Sequence, residues 1–308
     1  DIYAQIYEAD GSKQGGEFLV NTYTTGDQTH QYSRLPIAAL DAGKFVITWC
    51  SYNQLSGSSQ GDIYAQRFKA DGTKEGSEFL VNTYTTDTQD RDSVAHLGSG
   101  KFVVAWESWR SSSYNIYAQR YKADGTKEGS EFLVNTYTTS HQQNPSVAAL
   151  DAGKFVVMWM SQNQDGSGQG VYAQRYTAVG AKEGSEFRVN THTSNSQQNP
   201  SVAALDAGKF VVTWESDGQE YILKSSGSPS LALDQAACEA AAAALGKTYH
   251  GIVYWSFAPR GCLTTSGGVY YENTGSQTVY CGGGYNCVER SGDYGIFAQR
   301  YAADGTKD

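Results

Sequence analysis

One phrase recurs five times in this chain: DIYAQIY at 1–7, DIYAQRF at 62–68, NIYAQRY at 115–121, VYAQRY at 171–176 and GIFAQRY at 295–301. Such a chain builds its fold by stacking copies of one supersecondary unit, no copy burying its apolar surface alone. The equivalent aromatics Tyr3, Tyr64, Tyr117, Tyr172 and Phe297 stand 61, 53, 55 and 125 residues apart. Three intervals are one repeat long. The fourth is a repeat plus an insertion over 220–292 that carries four of the five cysteines. Function is expected where the copies stop agreeing.

The unit over 145–190 has four apolar segments: Pro145–Leu150, Lys154–Trp159, Val171–Tyr176 and Glu186–Thr191. Each is short, rich in β-branched and aromatic residues, and bounded by Gly, Asp or Asn, which predicts strands joined by hairpins. In 63–68, Ile63, Ala65 and Arg67 share one face, and Tyr64, Gln66 and Phe68 the other. Apolar groups on both faces call for neighbours on both sides. The prediction is an all-β fold of four-stranded antiparallel repeats, a β-propeller, with an open β-solenoid or stack of sheets as the alternative. Counting gives four copies each of the first, second and fourth strands and five of the third. The chain opens and closes inside a repeat, so a longer parent is expected. The domains are drawn as 1–219 with 293–308 for the repeats and 220–292 for the insertion.

The Phe-Val-Val-x-Trp strand at Phe155–Trp159, the Asp-Gly-Ser-Gly loop at Asp165–Gly168 and the strand Val171–Tyr176 resemble a repeat of large secreted and cell-surface proteins of bacteria and some protists. About three quarters of the chain carries the likeness. The resemblance implies adhesive or structural spacers, an extracellular location, and no catalytic residues to carry over. Val179 replaces the turn aspartate in one copy, and Gly98-Ser99-Gly100 replaces Asp-Ala-Gly in another.

The insertion has one predicted helix, Gln235–Leu245, with Asp234 as N-cap and Gly246 as stop. Cys238, Cys262, Cys281 and Cys287 allow three disulfide pairings, each bond worth about 2–4 kcal/mol in a module with so little core. A four-cysteine zinc site would need closer paired spacing than only Cys281 and Cys287 offer. Two disulfides imply an oxidising compartment. Cys50, at the end of a repeat strand, is expected as a buried free thiol, with an intermolecular bridge as the alternative. The Ala-Cys-Glu-Ala-Ala-Ala run with Gly261-Cys262 resembles small cysteine-rich modules in secreted proteins of microbial eukaryotes.

Chemistry is sparse. His30, His96, His141, His192 and His250 sit in unrelated contexts, without metal-binding spacing or a nucleophile elbow. Glu107 and Glu215 follow the strand Trp at equivalent positions, where Cys50 and Met160 stand in the other copies. They read as exposed strand-end charges, although a glycosidase also uses two carboxyl groups. Asn163, Asp165 and Ser167 alternate like the first half of a calcium loop, without the closing Glu. No other cofactor is suggested. Tyr249, Tyr254, Trp255, Tyr270 and Tyr271 of the insertion form either its core or a platform for a glycan. Tyr23, Tyr84 and Tyr137, with His192 in the fourth copy, end the last strand of each repeat and are expected to pack between copies.

Net charge is −9, with no basic run, so nucleic acid is not expected as a partner. Nothing approaches a membrane span. The leading expectation is a non-enzymatic structural or adhesive protein of an extracellular assembly. It would join copies of itself or of its parent through the end strands, at Ile2 and Tyr3 and at Ile296 and Phe297. The alternative is a glycan-binding propeller with its site in the insertion or the loop face.

Overall fold

The computed structural model describes residues 1–29, 35–55, 60–193, 195–217, 221–224, 249–253, 261–265, 268–272, 286–290, 295–302 and 306. A two-stranded sheet opens the chain: β1 (Tyr3–Tyr7) and β2 (Lys13–Leu19). The first full repeat comprises β3 (Gln28–Thr29), β4 (Ile37–Ala39), β5 (Phe45–Tyr52), β6 (Gly61–Phe68) and β7 (Phe79–Leu80), with β3 and β4 both pairing along β5. The second is β8 (Gln89–Gly98), β9 (Lys101–Arg110), β10 (Ser113–Tyr121) and β11 (Lys127–Leu133). The third is β12 (Gln142–Ala149), β13 (Phe155–Gln162), β14 (Gln169–Tyr176) and β15 (Lys182–Arg188). The fourth begins with β16 (Gln197–Ala204) and β17 (Phe210–Ser216).

The insertion holds β18 (Tyr221–Lys224), β19 (Tyr249–Val253), β20 (Gly261–Thr265), β21 (Gly268–Glu272) and β22 (Asn286–Arg290). Then β23 (Gly295–Tyr301) returns to pair with β17, register Trp214 to Phe297. The chain divides into two compact units, Asp1–Ser216 with Gly295–Asp308, and Asp217–Tyr294. Among the described residues there is no α-helix, only strands and single 3₁₀ turns. The insertion is a sheet in the order β18-β22-β20-β21-β19, with β19 and β21 parallel. The helix expected over Gln235–Leu245 lies outside the described residues. So do the side chains of Cys238, Cys262, Cys281 and Cys287, leaving the disulfide-rich character of the insertion without support.

Two-sided burial follows from the alternation. All eight residues of β6 are buried, because one face meets the preceding sheet and the other the following one. Val46 and Cys50 pack with Phe102, Val104 and Trp106 of the next repeat. Val103 and Ala105 pack with Phe155, Val157 and Trp159, and Val156 and Met158 with Phe210, Val212 and Trp214. The sheets of the first three repeats each carry a stacked ring pair, with centroids 5.0 Å apart for Phe45 and Phe68 and 4.8 Å for both Phe102–Tyr121 and Phe155–Tyr176. The tyrosines add a tie between repeats: Tyr121 Oη donates to Val81 O at 3.1 Å, and Tyr176 Oη to Val134 O at 3.4 Å.

A buried asparagine repeats the same job in every copy. Asn21, Asn82, Asn135 and Asn190, each 1% exposed, accept from the backbone N–H of Ile2, Ile63, Ile116 and Val171 at 2.8 Å. Each thereby completes a ladder that its own strand leaves short. The first strands contact one another in sequence, β4 with β8, β8 with β12 and β12 with β16. Ser93 Oγ accepts from Val147 N at 3.2 Å and Ser146 Oγ from Val202 N at 3.3 Å. The all-β expectation and the four-stranded antiparallel repeat are both present. The first strands converge, as the inner strands of propeller blades do.

Candidate functional site

Where the four first strands converge, a cleft of about 1000 Å³ opens. Its walls come from all four repeats, including Pro36, Arg91, Asn144, Pro145, Asn199 and Glu215. The polar side chains are aimed by bulges. Pairing along the first strands slips between Asp90 and Ser93, between Gln143 and Ser146, and between Gln198 and Ser201. In each slip one residue takes a left-handed backbone: Arg91 at φ 49°, Asn144 at 54° and Asn199 at 51°. A bulge of this kind turns a side chain out of the pleat and often borders a site. Asparagine tolerates that conformation, whereas arginine is strained there by an amount on the order of 1–3 kcal/mol.

What holds Arg91 is its surroundings. Its backbone N–H donates to Asp90 Oδ1 at 2.7 Å. Its guanidinium pairs with Glu107 at 3.1 Å and donates to Asn144 Oδ1 at 2.7 Å. Asn144 Nδ2 then donates to Asn199 Oδ1 at 3.1 Å, and Asn199 Nδ2 to Glu215 Oε2 at 2.9 Å. One polar chain therefore crosses three repeats, with a carboxyl group at each end.

Glu107 overturns its sequence reading. It is 1% exposed, not a solvated strand-end charge. Asn144 N donates to its Oε1 and Gln143 Nε2 to its Oε2, both at 3.2 Å. Burial pushes its pKa from 4.5 up to about 7, against the opposing pull of Arg91 and these hydrogen bonds. Glu215 stands at the matching register on β17, opposite Gln198 as Glu107 is opposite Asp90, but at the cleft wall.

The other predicted positions lie elsewhere. Ile2 is 3% exposed and packs in the core with Trp49 and Phe68, while Tyr3 is exposed. Ile296 and Phe297 pair through their backbone with Glu215 and Trp214, inside the fourth repeat's sheet. The side chains of Tyr249, Tyr254, Trp255, Tyr270 and Tyr271 lie outside the described residues. Asn163 to Gly168 is closed by its own turn, Asn163 N donating to Gly168 O at 2.7 Å and Asp165 Oδ1 accepting from Ser167 N at 3.3 Å. Among the described residues no three His, Cys, Asp or Glu side chains gather to hold a metal, and no helix is long and apolar enough to cross a membrane. Cys50 is buried and free, its Sγ donating to Gln89 O at 3.4 Å. Tyr84 lies against the guanidinium of Arg110 from the next repeat at 4.3 Å. A second hollow of about 380 Å³, between β1–β2 and β4–β5, is walled by Ile6, Phe18, Ile37 and Phe45 and gathers only Gln5 and Lys44 as polar side chains.

No family model and no curated protein matches this chain. Among solved structures it is similar to an α-L-arabinofuranosidase from Fusarium graminearum, at 14% identity over 58% of this chain and 55% of that one, with a TM-score of 0.44. It is also similar to an endo-arabinase from Bacteroides thetaiotaomicron, at 17% identity over 68% and 78% and a TM-score of 0.40. A third, a putative glycoside hydrolase from Parabacteroides distasonis, aligns at 12% identity over 63% of each chain, with a TM-score of 0.42. The chain spans little more than half of the arabinofuranosidase. At these values the likeness concerns the fold, and what those enzymes act on remains a property of theirs. The expectation of a non-enzymatic structural or adhesive protein joined through its end strands is corrected by where those strands lie. Its supposed joining strands are partly core, as Ile2 is, and partly paired within their own sheet, as 295–301 are.

Proposed function

We propose that the cleft between the first strands is a carbohydrate-binding site. The observation that supports it is the amide and carboxylate chain running through Arg91, Asn144, Asn199 and Glu215 at the bulges. Planar side chains with paired donors and acceptors match the neighbouring hydroxyl groups of a sugar. The charge of the lining selects against anions: Arg91 pairs with Glu107, and the carboxyl groups of Asp92 and Glu215 also stand on the walls. A neutral polyhydroxylated ligand fits this site, and an extracellular setting for the protein belongs to the same reading.

The test is a glycan array followed by titration calorimetry of the full chain and of Asn199→Ala. Asn199 is exposed, so its loss leaves the core alone. Removing its hydrogen bonds to ligand is expected to weaken binding about tenfold. Absence of binding by the wild-type chain, or equal affinities for the two, would refute the site.

Cleavage of the bound glycan is a second reading, favoured by Glu107 alone. A carboxyl group whose pKa is raised to about 7 keeps its proton in about half the molecules at neutral pH, which is what a general acid requires. At 1% exposure, and outside the lining of the cleft, it meets a glycosidic oxygen only if the side chains around it move. Release of reducing ends by the wild-type chain and not by Glu107→Gln is the expected signature; no release by either refutes it.

A further inference from the structure

At the loop end of the second repeat three aromatic side chains stand together. Trp109 meets Tyr114 nearly edge-on, with ring centroids 4.8 Å apart, and His141 lies against Trp109 at 5.7 Å with 27° between the rings. Tyr114 and His141 are 5.8 Å apart, and the Tyr114 N–H donates to His141 Nδ1 at 3.3 Å. All three are only partly buried. We propose that they form an aromatic subsite which stacks one ring of an oligosaccharide just outside the cleft. The inference rests on the carbohydrate-binding reading above and extends it from a site for one sugar to a site for a chain.

Placement carries the argument. Glu107 and Trp109 are two residues apart on β9, hence on one face and about 7 Å apart along the strand. His141 stands two residues before Gln143, which lines the cleft. The cluster is therefore the next sugar position outward along the same strands. It is also particular to this repeat. At the register where Trp109 opposes Tyr114, the third repeat has Gln162 opposite Gln169 and the first has Tyr52 opposite Gly61. No packing duty common to the copies accounts for the pair.

The hairpin holding it is tight and costly. Arg110 opposes Ser113 across two residues of left-handed backbone, Ser111 at φ 52° and Ser112 at φ 70°. That is the two-residue turn whose favoured residues are Asn and Gly. An aromatic face offers a sugar its apolar C–H face a surface to stack on, and rigid rings lose little freedom in doing so.

The experiment is calorimetry on the full chain with the disaccharide and hexasaccharide of the xylo-, manno-, arabino- and cello- series. Trp109→Ala is expected to weaken the bound hexasaccharide about tenfold and the disaccharide less than twofold, whereas Asn199→Ala weakens both. Trp109→Phe restores most of the loss. Equal hexasaccharide affinities for the wild-type chain and Trp109→Ala would overturn the subsite while leaving the cleft reading standing. If no series binds the wild-type chain, the cleft reading itself fails, and the subsite with it. Should Trp109→Ala fold poorly by its melting curve, Tyr114→Ala carries the same comparison.

Discussion

Replacing Glu107 by Gln should change how stability depends on pH. In the unfolded chain this carboxyl group loses its proton near 4.5; in the folded chain burial holds the proton until about 7. Between those values the folded state binds the extra proton, so stability falls as pH rises across that window and is flat on either side. At 1.36 kcal/mol for each tenfold change in proton affinity, the loss comes to about 3 kcal/mol. Gln cannot ionise. It still accepts one of the two hydrogen bonds that Gln143 and Asn144 give to Glu107, and the lost one costs about 1 kcal/mol at every pH. Asp62, raised to about 6 by its own burial, titrates in both proteins and cancels. Urea unfolding followed by tryptophan fluorescence suits the measurement, since Trp49, Trp106 and Trp159 are fully buried in the repeats. From pH 5 to pH 8 the wild-type chain should lose about 2.5 kcal/mol relative to Glu107→Gln. Parallel profiles would refute the reasoning. A wild-type chain that gains on the variant would show that the ionised pair with Arg91 more than offsets its desolvation.

Two further outcomes follow from the scaffold. Asn135→Ala leaves the buried Ile116 N–H unpaired and breaks bonds to Asn115 and Tyr137; equilibrium denaturation should show a loss of about 2–3 kcal/mol, and a change under about 0.5 kcal/mol would contradict the role given to the repeated asparagine. Placing Asn and Gly at Ser111 and Ser112 relieves the left-handed turn, so the melting temperature should rise by the equivalent of about 1 kcal/mol, and a fall would mean that the serines make contacts the turn depends on.

The period, the strand types and the two-sided sheets were legible because each repeats. A signal that recurs at Trp49, Trp106, Trp159 and Trp214, or at Asn21, Asn82, Asn135 and Asn190, is amplified by its copies. The bulges were not legible. The first strand of the third repeat was expected from Pro145, yet it begins at Gln142, because a slip at Asn144 lets pairing continue past the proline. Alternation alone cannot show a residue that leaves the alternation. Glu107 was misread for a related reason. Its burial depends on Arg91, Gln143 and Asn144, which come from another strand and another repeat. The one available signal was the Asp90-Arg91-Asp92 run standing where the third and fourth copies have Gln-Asn-Pro.

The same chain thus supplies its own controls. At scaffold positions the second repeat keeps what the others have, as Trp106 and Asn135 do. At the cleft end it departs repeatedly, and each departure is unfavourable for folding: an arginine in left-handed backbone, a carboxyl group buried to 1% exposure, and a turn of two serines at positive φ. Arg91, Glu107 and the Ser111-Ser112 turn stand toward one end of this sheet, although left-handed backbone also recurs at Ala42, Ala152 and Ala207 and at Ser99 in this repeat's opposite turn. Strain of the kind Arg91 carries, at a bulge on the cleft wall, persists only where the surrounding fold holds it, which supports the site proposed above. On the carbohydrate-binding reading proposed above, the second repeat is the one in which part of the scaffold's stability is spent on recognition.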